Sequence, residues 1–232
     1  MNKFKNALII GVGDGLSASL ARTFKSEGFD ISLASRNPQH FQNLTKIVDA
    51  KAFKCDSSSP EEVKNMFIEL DKIEKIPNLV IYNPSSRIRG PIEELDPDAT
   101  KKAIEITCFG AFLVAQQSVL RMKKMGFGSI FFTGASAGVK GFPNSSVFAM
   151  GKFGLRGLAQ SLARELHPKN IHIGHFVIDG GIAKSKYFGE NSNSNSALLD
   201  PDEIAKTYLH FFKQDKSSWS WEIEIRPWLE KF

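Results

Sequence analysis

Three glycines near the start of the chain could hold a phosphate group. Gly11, Gly13 and Gly15 follow the apolar run NALII and precede an amphipathic run, at a point where a strand should turn into a helix. Glycine permits a tight turn, and it lets backbone N–H groups and a helix N-terminus approach an anion closely. The position directly after a strand favours a dinucleotide pyrophosphate, with Asp14 and Leu16 beside it, over a glycine-rich connection without a ligand.

A second candidate for chemistry lies on the long amphipathic run that begins at Ser146. Phe148 and Lys152 are four residues apart there, so both side chains should project from one face of a helix. The lysine ammonium can donate hydrogen bonds to a ligand, although an ordinary surface lysine would fit the same pattern. The phenylalanine has no ionisable group, so it cannot act as a general acid or base.

Two histidines lie in a β-rich run further along the chain. His172 and His175 are three residues apart, so in a regular strand they point to opposite faces of the sheet. Histidines in such places are more often structural than catalytic. His175, which is nearer the carboxyl end of the run, is the better catalytic candidate of the two.

The elements that must position these residues are short β-rich runs that alternate with amphipathic helical runs. This alternation predicts parallel strands joined by helical crossovers. We therefore expect a single doubly wound α/β domain of the Rossmann type over residues 1–232, with about seven mainly parallel strands flanked by helices. The predicted strands are 6–11, 30–35, 50–55, 78–83, 128–134, 171–178 and 220–226. The predicted helices are 14–27, 39–49, 60–74, 97–125, 146–167 and 201–213.

The glycine turn resembles the G-x-x-x-G-x-G turn of the short-chain dehydrogenase/reductase family. Gly11 and Gly15 are in place, and Ser17 stands where the last glycine would be. The resemblance extends over nearly the whole chain. It implies an NAD(P) cofactor, a small-molecule carbonyl or alcohol substrate, and a homodimer or homotetramer. It also implies a substrate lid around residues 183–200, where the polar run ENSNSNS predicts a mobile loop.

Further positions match the cofactor site of this family. Asp56 stands where the family has an aspartate against the adenine ring, and Asn83 keeps the second asparagine of the motif Asn-Asn-Ala-Gly. Gly180 and Ile182 fall in the segment that holds the nicotinamide carboxamide, where the family's proline is missing. Lys152 occupies the place of the family's lysine, which implies a contact with the nicotinamide ribose.

The proton-transfer group of the family is altered. A tyrosine four residues before the lysine normally passes the proton, and that position is Phe148 here. The family's serine falls by ungapped count on Ala135, with Ser136 one residue later, and its asparagine is replaced by Thr107. Ser136 is therefore the nearest candidate for a replacement hydroxyl, and Tyr187 in the implied lid is another.

Two functions remain open on this sequence. The segment FTGASAGVKGFPNSSVFAMGKFG and the C-terminal WEIEIRPWLEKF are similar to an atypical bacterial subgroup of the family in which phenylalanine fills the tyrosine position. The first function is an oxidoreductase whose proton relay uses Ser136, a water held by Lys152, or a lid residue. The second is an NADP-binding protein without turnover, acting as a sensor or an interaction partner.

The end of the second predicted strand bears on the choice of cofactor. Ser35 replaces the acidic residue that would accept hydrogen bonds from a ribose 2′-OH, and Arg36 offers a charged fork to a 2′-phosphate. We therefore predict NADP, with NAD as the alternative. Asp14 opposes this preference with a negative charge, and a solvated loop arginine would give the same sequence.

Composition limits the other classes of function. Of the 232 residues 42% are hydrophobic, enough for one large core. Neither an uninterrupted apolar run of about 18 residues nor a basic leader is found, so we expect a cytoplasmic protein without a membrane span. The net charge of +5 is scattered among acidic residues, which argues against nucleic-acid binding. Cys55 and Cys108 lack companions at metal-ligand spacing, so no metal site is predicted.

Overall fold

A single parallel sheet forms the centre of a computed structural model that describes residues 5–183 and 198–229. Its strands are β1 (Asn6–Ile10), β2 (Asp30–Ser35), β3 (Lys51–Lys54), β4 (Leu79–Tyr82), β5 (Gly128–Thr133), β6 (Ile171–Ile178) and β7 (Glu222–Ile225). Their order is β3-β2-β1-β4-β5-β6-β7, with parallel neighbours throughout. The predicted doubly wound α/β fold is confirmed. The direction of strand order reverses at β1 and β4, and ligands of such sheets bind at the carboxyl ends beside that reversal.

Helices cover both faces of this sheet. They are α1 (Leu16–Ser26), α2 (Gln42–Ile47), α3 (Pro60–Lys72), α4 (Pro97–Ile104), α5 (Gly110–Met125), α6 (Ser146–Leu166) and α7 (Pro201–Phe212). Successive residues of β1 point to opposite faces: Ile9 packs in the core shared with α1 and α7, and Leu8 in the core shared with α3, α5 and α6. Because both faces are covered, the strand is apolar at every position from Ala7 to Ile10, as parallel strands usually are.

Three helices begin with a capping residue followed by proline. The side chains of Ser59, Asp96 and Asp200 accept hydrogen bonds from backbone N–H groups in the first turns of α3, α4 and α7. The predicted start of the last helix at residue 201 is confirmed. Helix α1 differs, because Gly15 precedes it and no side chain caps its first N–H groups.

The predicted helix over 97–125 is interrupted. Its middle, Glu105–Phe109, is a π-helical turn that joins α4 to α5. Tyr82 on β4 donates a hydrogen bond from its hydroxyl to the carbonyl of Ile106, which removes that carbonyl from a regular helical ladder. Gly110, the first residue of α5, lies where the helix comes closest to Tyr82, since a Cβ there would lie 2.4 Å from the Tyr82 hydroxyl. These contacts come from tertiary packing, which the local pattern does not contain.

Among residues 5–183 and 198–229, one helical stretch passes a length and composition test for crossing a membrane. This stretch is Pro97–Met125, with a mean hydropathy of 1.5 in its most apolar window, of which 44% is buried. The residues of α5 that face inward, including Val114 and Met122, belong to the core shared with α3 and α6. The stretch therefore occupies the place of a core helix in an α/β fold.

Candidate active site

The glycine turn between β1 and α1 is fixed by contacts to the end of β4. Gly11 has φ of +80°, and a Cβ there would lie 2.7 Å from the backbone nitrogen of Pro84. The Ser17 hydroxyl donates to the Gly11 carbonyl at 2.9 Å, and Asn83 donates from Nδ2 to the same hydroxyl at 2.7 Å. Ser17 thus links the turn to Asn83.

Open space lies in front of the start of α1. A Cβ built on Gly13 or Gly15 would meet no atom within 4 Å. The first turn of α1 contains no acidic residue, and no side chain caps it. The Ala18 and Ser19 N–H groups donate to the Gly15 carbonyl, and the positive end of the helix dipole faces the open space, which favours an anion such as a pyrophosphate there.

A cleft of about 1540 Å³ extends from this turn across the carboxyl ends of β4, β5 and β6 to the start of α6. Most residues that the sequence singled out line this cleft: Gly11, Gly13, Gly15, Leu16, Asn83, Ser136, Phe148, Lys152, Gly180 and Ile182. The other residues assigned to the cofactor, Asp14, Ser35, Arg36 and Asp56, lie outside its lining. The sheet therefore gathers distant parts of the chain at one edge.

The end of β2 lies beside the glycine turn. The Ala34 carbonyl accepts a hydrogen bond from the Gly11 N–H at 2.9 Å. Ser35 and Arg36 follow directly, and the Arg36 side chain is exposed. No carboxylate in the described part of the chain forms an ion pair with Arg36. Its guanidinium can thus reach a ligand that extends from the turn toward β2.

Asp56 is held by contacts within the protein. Its carboxylate accepts hydrogen bonds from the Ser58 N–H at 2.9 Å and the Ser58 hydroxyl at 2.6 Å, and Lys102 lies 3.5 Å away. Burial works to raise the pKa of this carboxyl, but the Ser58 hydrogen bonds and the Lys102 charge outweigh it and lower the pKa below its usual value. The group is ionised at neutral pH and fixed in orientation.

Lys152 is a buried cation at the centre of the cleft. Its side chain is 2% exposed, and Nζ donates a hydrogen bond to the Thr133 carbonyl at 2.7 Å. Burial, and then the nearby Arg87 charge, lower the pKa of Lys152 to about 7. Both protonation states are therefore populated at neutral pH, which suits a group that gives and takes protons.

The Phe148 ring is in contact with the guanidinium of Arg87. The Arg87 Cζ atom lies 4.3 Å from the ring centroid, and Lys152 Nζ lies 5.7 Å from it. Arg87 and Arg89 belong to the loop after β4 and line the cleft. Sequence reasoning missed both arginines, because a loop arginine far from α6 in the chain gives no signal of this contact.

The remaining candidates for proton transfer occupy different surroundings. Ser136 begins a short helical turn after β5 and is half-buried at the cleft wall. Thr107 is buried against Gly151 of α6, and its hydroxyl accepts the Ser86 N–H at 3.0 Å, so it supports the loop that carries Arg87. Tyr187 lies outside the described residues.

The implied lid is described only at its ends. The residue pair Ile182 and Leu199 forms an isolated parallel bridge, and the Ala183 N–H donates to the Leu199 carbonyl at 2.9 Å. Residues 184–197 lie outside the described part of the chain. The two ends are therefore fixed next to each other at the rim of the cleft, where Ile182 and Ala183 line it.

The two histidines of β6 lie on opposite faces of the sheet, as predicted. His172 stacks on Trp219 and Phe211, with centroid distances of 4.4 and 4.8 Å. His175 is fully buried, with Nδ1 2.9 Å from a Glu222 carboxylate oxygen. Burial lowers the pKa of each to about 4. Neither lines the cleft, so both have structural surroundings.

The reversal of strand order and the glycine turn beside it define a dinucleotide-binding fold of the Rossmann type. A sequence profile described as short chain dehydrogenase matches residues 5–194. The chain therefore belongs to the short-chain dehydrogenase family, whose members are NAD(P)-binding oxidoreductases.

Similar proteins cover almost the whole chain. An uncharacterized oxidoreductase of Staphylococcus aureus (strain N315) is 23% identical over 226 residues, 96% of this chain and 97% of that protein. The solved structure of a short-chain dehydrogenase from Rhodopseudomonas palustris is 32% identical, with a TM-score of 0.83 and coverage of 96% of this chain and 98% of that chain. A metagenomic short-chain oxidoreductase in complex with NADP shares the fold, with a TM-score of 0.83, 19% identity and coverage of 97% and 99%.

Proposed function

We propose that residues 1–232 form one cofactor-binding domain that interconverts a carbonyl and an alcohol with NADP, without a phenolic acid. The observation that carries this proposal is Lys152. A lysine that is 2% exposed, with a pKa lowered to about 7, faces the same cleft as the glycine turn. We further propose that the chain belongs to a subgroup of the family in which phenylalanine fills the tyrosine position.

The described residues fit a dinucleotide. The space before Gly13 and Gly15 and the uncapped start of α1 suit a pyrophosphate, since any side chain on either glycine would project into it. Arg36 would hold the 2′-phosphate, Lys152 the nicotinamide ribose, and the segment from Gly180 to Ile182 the carboxamide. A protein of the same fold binds NADP, and the preference for NADP over NAD in this chain rests on Arg36.

When bound, NADPH would supply a hydride to the carbonyl carbon, and NADP would accept one from the alcohol carbon. In the reduction, the carbonyl oxygen must gain one proton for each hydride that the carbon receives. Phe148 cannot supply that proton. Lys152 can release one near neutral pH, and Ser136 or a water beside Lys152 can pass it to the oxygen. The lysine then recovers a proton from solvent, so that carbonyl, NADPH and one proton yield alcohol and NADP.

The alternative function is an NADP-binding protein without turnover. One observation favours it: the Arg87 guanidinium lies 4.3 Å from the Phe148 ring centroid, where a phenol would otherwise act. A sensor would need the part of the cleft around the glycine turn, which would bind the cofactor, and no proton relay. The two functions differ in whether NADPH is consumed.

The test is NADPH consumption with a panel of aldehydes and ketones, after NADPH binding has been measured by its fluorescence. The proposal expects binding together with turnover of at least one carbonyl class. Binding without consumption of NADPH on any carbonyl would favour the sensor, and absence of binding would contradict both functions.

We also propose a homodimer or homotetramer assembled through α5 and α6. Phe109 and Phe112 stack with their centroids 6.0 Å apart and are 41% and 43% exposed, and Phe153 on α6 is 45% exposed. Clustered exposed aromatic residues usually mark an interface. Sedimentation at micromolar concentration should give a dimer or tetramer mass, and Phe112→Glu should give the monomer. A monomeric unmodified protein would contradict the proposal.

A further inference from the structure

The part of the cleft beyond the glycine turn carries an excess of positive charge. Four cationic side chains line it, Arg87, Arg89, Lys140 and Lys152, against a single carboxylate among the described lining residues, Asp179. Asp179 already pairs with Lys140 at 3.6 Å and with Arg226 at 3.1 Å. It therefore does not neutralise either arginine of the loop after β4.

Arg87 is held at the cleft by its contact with Phe148, and it forms no ion pair with a carboxylate in the described part of the chain. Its guanidinium carbon lies 4.3 Å from the centroid of the Phe148 ring, a cation–π contact that holds the group at the cleft. Partial burial and the charge of the neighbouring Arg89 lower the pKa of Arg87. Two cations that repel each other in a partly desolvated cleft would be stabilised by a shared anion.

The loop that carries both arginines is anchored at two points. The Ser86 N–H donates to the Thr107 hydroxyl at 3.0 Å, and the Gly90 N–H donates to the Asn144 carbonyl at 3.1 Å. The first contact ties the loop to the π-helical turn and the second ties it to the segment before α6. The arginines are therefore held over the cleft by the fold on both sides.

We propose that Arg87 and Arg89 bind an anionic substituent, a carboxylate or a phosphate, on the carbonyl or alcohol substrate. The substrate class is then the oxo or hydroxy acids or their phosphorylated counterparts. This inference rests on the proposed oxidoreductase function and names the substrate class of that site. Phe148, in place of the proton-donating tyrosine, acts as the surface on which the anion-binding guanidinium lies.

The position of Lys152 connects this anion to the proton relay. Arg87 and Lys152 both lie within 6 Å of the Phe148 ring centroid, at 4.3 and 5.7 Å. Arg87 Cζ and Lys152 Nζ therefore lie at most about 10 Å apart, a distance that a substrate of a few carbon atoms can span. An anion at Arg87 also offsets the charge that lowers the lysine pKa, so substrate binding should raise the pKa of Lys152 and favour the protonated amine that a reduction requires.

The experiment uses two matched pairs of probes that differ in negative charge. One pair is 4-oxopentanoate and its methyl ester, and the other is dihydroxyacetone phosphate and dihydroxyacetone. Each is titrated calorimetrically into the full-length protein, both alone and saturated with NADPH. At least one anion should bind about tenfold or more tightly than its neutral partner, and the pair that shows the difference identifies carboxylate or phosphate.

Variants separate the arginines from general charge effects. Arg87→Gln should weaken binding of that anion about tenfold or more, and Arg89→Gln should weaken it by a smaller factor. Arg164→Gln, which removes an exposed arginine on α6 away from the cleft, should leave the affinity unchanged. Circular dichroism spectra and melting temperatures check that each variant is folded.

The outcomes distinguish this inference from the proposed function. Equal affinity for charged and neutral partners in both pairs, or an unchanged anion affinity in Arg87→Gln, would overturn the anion site even if NADPH binds and is consumed. Failure to bind NADPH would overturn the proposed function, whereas a charge preference in the cofactor-free protein would still support the anion site.

Discussion

The cleft has a cofactor half, around the glycine turn, and a substrate half, around Phe148 and Arg87. The two halves differ in how many contacts within the protein fix their geometry. In the cofactor half, Gly11, Ser17 and Asn83 hold one another through a positive φ, a close approach to Pro84 and two hydrogen bonds. In the substrate half, Phe148 has no ionisable group, and the Arg87 guanidinium lies 4.3 Å from its ring centroid. The contrast supports the proposal that an NADP site lies beside an altered proton relay.

The largest effect should come from Lys152, which lies between the halves. Lys152→Met keeps the length and removes the ammonium, so turnover should fall by about 10² to 10⁴ because proton transfer is lost. Stopped-flow absorbance of NADPH measures this. Lys169→Met, at an exposed lysine paired with Glu165, is the control and should keep full activity. Undiminished turnover in Lys152→Met would mean that the proton comes from elsewhere.

The pH dependence of the reaction rate also tests whether Lys152 transfers the proton. Carbonyl reduction needs the protonated lysine, whose pKa is lowered to about 7, so the rate of reduction should fall as pH rises through that region. Alcohol oxidation needs the neutral amine and should rise over the same range. Arg87→Gln removes a charge that lowers the lysine pKa, so it should move both transitions to higher pH.

One added methyl group at Gly11 should destabilise the cofactor half of the cleft. Gly11→Ala forces a side chain at a φ of +80° and against Pro84 at 2.7 Å, so the free energy of unfolding should fall by about 2–5 kcal/mol and NADPH binding should weaken. Gly13→Ala is the matched control for stability, since its Cβ would meet no protein atom within 4 Å. Urea unfolding compares the two. Equal stability would show that the turn is less constrained than its contacts indicate.

A smaller effect on activity is expected when a tyrosine is placed at position 148 in the substrate half. Phe148→Tyr places a hydroxyl on the face of α6 that also carries Lys152, and the lysine charge favours the phenolate. Carbonyl reduction should rise, by a limited factor, because Thr107 is engaged with Ser86 and Arg87 covers the ring. Rates from the same carbonyl panel measure the gain. A folded variant that binds NADPH and shows no gain would mean that the missing phenol does not limit the rate.

The sequence predicts the cofactor half better than the substrate half for a physical reason. The Gly11 turn and the alternation of strands and helices are local patterns, and a parallel sheet brings their carboxyl ends to one edge. The cation–π contact of Arg87 with Phe148 joins a loop to a distant helix. The lowered pKa of Lys152 depends on burial and on Arg87. The π-helical turn depends on Tyr82 reaching Ile106. None of these three follows from a local pattern.

The measurement that tests the central claim most directly is the affinity of the unmodified protein for NADPH and NADH, by fluorescence titration. The account predicts that NADPH binds about ten to a hundred times more tightly, because Arg36 makes a charge-assisted contact with the 2′-phosphate. Arg36→Asp should erase or reverse this preference. Absence of binding, or equal affinity for the two cofactors, would contradict an intact NADP site beside an altered proton relay.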